Sequence, residues 1–219
     1  MSERRRRTMI AEQLVARGIR DSRVLEAMAA VSREAFVAPH LIEQAYEDRA
    51  LPSEAGQTIS QPYIVAYMTE CLGVAPGHRV LEIGTGTGYQ TAILARLAAE
   101  VFTVERLADL SHHAMIRLAD LEARNVRMRV GDGTLGWPDK APFDRILVTA
   151  AAPAIVSPLL EQLAVGGRMV LPIGPADRQH LVAIDKLPHR NVETPLLPVV
   201  FVPLVGEAGF AEAGWVHGG

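Results

Sequence analysis

The chain has 219 residues, 49% of them hydrophobic and 21% charged, which is enough apolar material for a full core and excludes a largely disordered chain. Its 22 basic and 25 acidic residues leave a formal charge of −3, so no overall basic field marks a nucleic-acid partner. A single cysteine, Cys71, rules out an internal disulfide, and the seven histidines include no His-x-x-x-His pair for a structural metal.

In chain order, Arg4 to Arg7 open the sequence and are expected as a solvated, mobile start. They resemble the charged end of an export signal, but Glu12 and Gln13 interrupt the apolar segment that should follow. The most apolar stretch, Ile146 to Leu160, is broken by Thr149, Pro153, Ser157 and Pro158, so no membrane span is expected and a cytoplasmic address follows. Helices are predicted over Thr8 to Arg17, stopped by Gly18, and over Asp21 to Val31, capped by Asp21 with Val24, Leu25, Met28 and Val31 on one face. A third runs from Pro62 to Leu72, with the proline in its first turn and Gly73 ending it.

Near Pro76-Gly77 the texture changes to short β-branched runs alternating with helices. Strands are predicted at Val80 to Ile83, Val101 to Glu105, Val126 to Val130, Arg145 to Thr149 and Met169 to Leu171. Thr91 to Ala99, Leu107 to Arg124 and Ile155 to Leu163 supply helical crossovers. The alternation predicts an α/β fold, a doubly wound and mostly parallel sheet with helices on both faces. His180 to Leu187 and Val199 to Val205, with no helix between them, predict an antiparallel closing hairpin, Pro188 and Pro195 falling in the connection. The organisation expected is an N-terminal helical segment (1–76), an α/β domain (77–206) and a tail (207–219).

The first strand of that domain runs into Glu82, Ile83, Gly84, Thr85, Gly86, Thr87, Gly88 and Tyr89. A strand-to-helix turn rich in glycine lets backbone approach a nucleotide-like ligand at the sheet's carboxyl edge. A dinucleotide fingerprint starting at Gly84 needs a small residue at position 89, where Tyr89 stands, so the spacing disfavours NAD. Gly-x-Gly-x-Gly after an acid at Glu82 is instead the pattern of S-adenosylmethionine-dependent methyltransferases, although the loop alone also fits an ordinary tight turn. Glu105 ends the next strand 21 residues after Gly84, placed to hydrogen-bond ribose hydroxyls; the alternative is a solvated acid favourable to the following helix dipole. After the third strand, Gly131-Asp132-Gly133 offers an acid for an adenine amino group, or a plain turn.

Leu51-Pro52 and the run Gly56-Gln57-Thr58-Ile59-Ser60-Gln61-Pro62 form a polar loop entering a helix. With the glycine loop, Pro142-Phe143-Asp144, Thr149 to Pro153, Gly166 to Gly174 and Phe201 to Leu204, they make the chain resemble the protein-L-isoaspartate O-methyltransferases from its first helix to Gly206. It departs at Ser53-Glu54-Ala55, where the bacterial pattern continues Leu-Pro with Ile-Gly-Gln. The resemblance implies transfer of a methyl group from S-adenosylmethionine to the free carboxyl of L-isoaspartyl, and D-aspartyl, residues in damaged proteins. It implies isoaspartyl peptides and proteins as partners; beside it, the charge and hydropathy lead to the expectation of no nucleic-acid and no membrane partner, and a monomer is expected. Glu82, Gly84, Thr85, Gly86, Gly88, Glu105, Asp132 and Gly133 become the cofactor-binding residues. Thr58, Ile59, Ser60 and Leu204 become the substrate-binding ones, and Ser60 the catalytic residue that orients the attacking carboxylate.

A carboxylate is a nucleophile at neutral pH, its pKa lying about three units or more below 7, so the chemistry needs neither a base nor a metal. Ser60 also reads as a helix N-cap before Gln61-Pro62. His112 and His113 are adjacent, hence about 100° apart on a helix, and make no metal pair. Cys71 reads as a buried thiol. Two rival functions keep the same glycine loop: a methyltransferase for RNA or a small molecule, and a non-catalytic binder of aged peptides.

Overall fold

The computed structural model describes residues 2–211; the expected tail beyond Ala211 lies outside them. Helix α1 (Ser2–Thr8) continues through a widened turn at Met9–Leu14 and a tight turn at Val15–Arg17, and stops at Gly18, whose φ of 100° places it in the left-handed region. The arginine run is therefore helical, contrary to the expectation of a mobile start. Arg7 pairs with Glu3 one turn back and Arg5 pairs with Glu43, which fixes this turn on the neighbouring segment. Helix α2 (Ser22–Ala30) is capped as expected: the Asp21 carboxylate accepts from the Arg23 amide at 2.9 Å.

A short hairpin follows, β1 (Leu51–Pro52) pairing antiparallel with β2 (Thr58–Ile59), and leads into α3 (Pro62–Leu72). Pro62 at the first helical position makes Gln61 the cap residue and displaces Ser60 from that role. The Gln61 side chain turns away to the carbonyl and carboxylate of Asp48.

The large sheet comprises β3 (Arg79–Ile83), β4 (Glu100–Glu105), β5 (Val126–Val130), β6 (Phe143–Val148), β7 (Leu163–Ile173), β8 (Gln179–Lys186) and β9 (Asn191–Val199) in the order β5-β4-β3-β6-β7-β8-β9. The first five are mutually parallel, and β8 pairs antiparallel with β7 on one side and β9 on the other, the doubly wound arrangement with a closing hairpin. Between them lie α4 (Tyr89–Leu97), α5 (Ala108–Asp120) and α6 (Ser157–Gln162), while two tight turns replace a helix between β5 and β6. The chain runs from β3 outward to β4 and β5, then returns to β6 on the other side of β3. That reversal opens a crevice at the carboxyl ends of β3 and β6.

Strand side chains alternate between two cores. Val80, Val101 and Leu147 face Met28, Phe36, Met68 and Leu94, so the N-terminal helices share a core with one face of the sheet. Leu81, Phe102 and Ile146 face Leu159 on the other side. Each fully buried aliphatic chain contributes on the order of 1.5–3 kcal/mol, which is what holds the N-terminal helices, and with them the β1–β2 hairpin, against the sheet.

The second hairpin strand is not where the sequence suggested. β9 occupies Asn191–Val199, includes Pro195 and Pro198, and tolerates them because it is an edge strand with one unpaired side. Phe201 to Val205 instead crosses the end of β6: the Ala151 amide donates to the Val202 carbonyl at 2.8 Å and the Leu204 amide to the Ala151 carbonyl at 2.7 Å. The apolar side chains that resembled strand residues, Phe201 and Leu204, are buried by this crossing.

Candidate active site

Most of the candidate residues, among them Thr58, Ser60, Thr85 and Glu105, converge on the crevice at β3 and β6. The turn after β3 needs three left-handed residues, Gly84 (φ 93°), Gly86 (φ 55°) and Gly88 (φ 91°), a conformation that costs side-chain-bearing residues about 1–2 kcal/mol each. Packing adds to the requirement at Gly84, where a Cβ would lie 2.4 Å from the Thr149 hydroxyl, the group that donates to the Gly84 carbonyl at 2.7 Å. Gly133 has no room either, since its Cβ would lie 2.6 Å from an Ile83 methyl. Bare backbone therefore forms the floor of the pocket.

Glu105 closes one side. It is 6% exposed, and its two carboxylate oxygens accept separately from the Gly86 amide at 3.0 Å and the Leu107 amide at 3.1 Å. Each oxygen keeps a lone pair for a further donor, which suits a vicinal pair of sugar hydroxyls. Across the pocket stand Gln57, Thr58, Ile59 and Ser60, brought there by the β1–β2 hairpin, and Phe201 to Val205 form a third wall. The Ser60 hydroxyl makes no hydrogen bond among the described residues. It is a donor with nothing to bind.

The structure thus brings Thr58, Ile59, Ser60, Gly84, Thr85, Gly86, Glu105, Gly133 and Leu204 around one pocket, and sets Glu82, Gly88 and Asp132 outside its lining. Gly88 is the cap of α4. Asp132 turns its oxygens to the amide and hydroxyl of Thr134 at 2.8 and 2.7 Å and to the Glu207 amide at 2.8 Å, tying the chain after Val205 to the loop after β5. Those donors hold its carboxyl below the usual range even though burial pushes it upward.

Glu82 lies fully buried beneath the glycine loop. One oxygen accepts from the Thr91 and Thr103 hydroxyls at 2.5 and 2.7 Å, Thr103 in turn contacting the Thr85 hydroxyl at 2.7 Å, while the other oxygen has no hydrogen-bond partner among the described residues. Burial pushes its pKa up to about 8; the two threonine hydroxyls act against the shift and the charge of Glu105 adds to it. A raised carboxyl favours folding most fully below its unfolded value near 4.5, and that contribution is lost as pH rises through about 8. Glu82→Gln retains the acceptor for both threonines and cannot ionise. Its unfolding temperature is expected to fall less than the wild type's between pH 5 and pH 8, and identical slopes in thermal unfolding would show that Glu82 is ionised in the folded chain.

Several lining residues escaped the sequence reading. Leu107 and Leu110 face the pocket at helical spacing after Glu105, a signal that was available; Gln57 and Thr149 carry no local signal beyond their motifs. Tyr89, which displaced the dinucleotide fingerprint, is 2% exposed and packs edge-on against Phe36 at 5.4 Å, with the buried Arg33 guanidinium 5.2 Å from its ring. It locks the start of α4 to the N-terminal helices. No group of three metal-ligating side chains occurs among the described residues.

The sequence profile of the family described as Protein-L-isoaspartate(D-aspartate) O-methyltransferase matches residues 4–209. The chain belongs to the protein-L-isoaspartate O-methyltransferase family. A protein-L-isoaspartate O-methyltransferase of Anaeromyxobacter dehalogenans is 56% identical over 198 residues, covering 89% of this chain and 95% of that relative. Among solved structures, a protein-L-isoaspartate O-methyltransferase superposes with a TM-score of 0.84 at 30% identity, over 93% of this chain and 67% of that one. A Plasmodium falciparum protein described as a protein-L-isoaspartate O-methyltransferase beta-aspartate methyltransferase, in complex with S-adenosyl-L-homocysteine, superposes with a TM-score of 0.76 at 26% identity, over 88% and 95% of the two chains.

Proposed function

We propose that this chain transfers the methyl group of S-adenosylmethionine to the free carboxylate of L-isoaspartyl residues, and of D-aspartyl residues, in damaged proteins and peptides. The observation that carries the reading is the placement of the Ser60 hydroxyl, without a hydrogen-bond partner among the described residues, in the same pocket as the glycine loop and Glu105. Bare backbone at Gly84 and Gly133 and the open lone pairs of Glu105 fit an adenosine moiety, with Leu107 and Leu110 supplying apolar surface. S-adenosylmethionine supplies an electrophilic methyl group on a sulfonium.

The protein's part is positioning. Gln57, Thr58 and Ser60 offer an amide and two hydroxyls, neutral donors that orient an incoming carboxylate without neutralising the charge that makes it a nucleophile. The glycine loop and the Phe201 to Val205 wall narrow the water-accessible space around it. Within this reading residues 1–76 carry the acceptor hairpin and 77–206 hold the cofactor. The enzyme acts as a monomer in the cytoplasm, without nucleic-acid or membrane partners. The net charge of −3 favours the part of this reading that leaves out a nucleic-acid partner; among the described residues no helix is long and apolar enough to cross a membrane.

Incubation with methyl-tritiated S-adenosylmethionine tests the reading. Label is expected in an isoaspartyl peptide as a base-labile ester, with none in total RNA. Transfer to RNA or to no acceptor at all would transfer the case to one of the rival functions.

A further inference from the structure

The hairpin tip at Ser53-Glu54-Ala55 has a partner on α5, across the pocket. The tip of the β1–β2 hairpin is tightly closed, the Ser53 amide donating to the Gln57 carbonyl at 2.8 Å and the Gln57 amide to the Glu54 carbonyl at 3.1 Å. Ala55 sits at φ 54°, a left-handed conformation that residues with a Cβ hold only where their surroundings fix it. From this tip the Glu54 carboxylate reaches the Arg117 guanidinium of α5, and His113, one turn earlier on α5, stands 4.0 Å away. Arg117 also donates to the Thr87 carbonyl of the glycine loop at 3.4 Å.

One guanidinium therefore touches both halves of the site. The hairpin it holds delivers Gln57 to Ser60 to one wall, Thr87 belongs to the floor, and Leu110, two helical turns before Arg117, belongs to the opposite wall. We propose that Glu54 and Arg117 are positioning residues, a clasp that holds the acceptor hairpin across the cofactor pocket and must open for the nucleoside product to leave. Burial opposes ionisation of Glu54, but the Arg117 hydrogen bond and charge outweigh it and hold the carboxyl below its ordinary value, so the clasp is charged at neutral pH. Arg117 is 20% exposed and Glu54 41%, an intermediate setting in which salt weakens the pair without abolishing it. The inference rests on the cofactor reading above and concerns residues that do not line the pocket.

Dissociation of S-adenosylhomocysteine from the full chain, followed by displacement with excess unlabelled ligand, tests it. Glu54→Gln and Arg117→Glu are expected to release the ligand about three- to tenfold faster than wild type, with an unchanged unfolding temperature in the ligand-free state. The exchanged pair Glu54→Arg with Arg117→Glu is expected to restore slow release, and 0.5 M salt to bring wild type toward the single variants. Wild-type release from both single variants, or an exchanged pair no slower than Arg117→Glu alone, would overturn the clasp while leaving the cofactor site intact. A wild-type chain that fails to bind S-adenosylhomocysteine would overturn the cofactor reading and the clasp with it.

Discussion

Glu105→Ala is expected to weaken S-adenosylmethionine binding by about 1.5–3 kcal/mol, roughly a 10- to 150-fold rise in Kd by calorimetry. Two losses combine. The variant removes a charged acceptor from the pocket, and it releases the Gly86 and Leu107 amides that Glu105 holds at 3.0 and 3.1 Å. Both donors border the pocket, where water can replace the carboxylate, so the fold itself is expected to lose little stability. Glu105→Gln should fall between wild type and alanine, because an amide oxygen still accepts one N–H but carries no charge. Unchanged affinity in the alanine variant would leave Glu105 as a loop clamp and remove it from the cofactor's contacts.

Ser60→Asp is expected to bind cofactor normally and to lose at least about 100-fold in kcat/KM toward an isoaspartyl peptide, since like charges brought together in a pocket cost several kcal/mol. The structure sharpens this test. Gln61 occupies the cap position of α3, so changing Ser60 removes no cap and unfolding should stay within about 0.5 kcal/mol of wild type. Ser60→Ala loses one hydrogen bond to a charged acceptor, about 1.5–3 kcal/mol of transition-state binding, and is expected to retain correspondingly more activity. A folded, cofactor-binding Ser60→Asp protein with wild-type turnover would move the acceptor contact elsewhere on the hairpin.

The parts of this architecture legible in the sequence are those governed by local rules. Asp21 announced α2 by capping it, and Pro62 and Gly73 bracketed α3 to the residue. The left-handed turns at Gly84, Gly86 and Gly88 admit few residues besides glycine. Ser60 as a cap failed on a rule equally local, since a proline at the first helical position gives the cap to its immediate predecessor. What stayed hidden depends on the sheet. Pro195 read as connection because nothing local reveals that its strand is an edge, and Val199 to Val205 read as a strand because a buried crossing and a buried strand share an apolar composition. The hydrogen bonds of Asp132 to Glu207, 75 residues on, and the clasp from Glu54 to Arg117, 63 residues on, connect positions that no window brings together.

The central claim is that the pocket recognises a carboxylate displaced by one backbone methylene. Two synthetic peptides of identical sequence, one carrying L-isoaspartate and the other L-aspartate at the same position, test it most directly when offered separately with labelled S-adenosylmethionine. Methylation of the isoaspartyl peptide with no transfer above background to its aspartyl twin is the predicted result; equal rates on the two would contradict it.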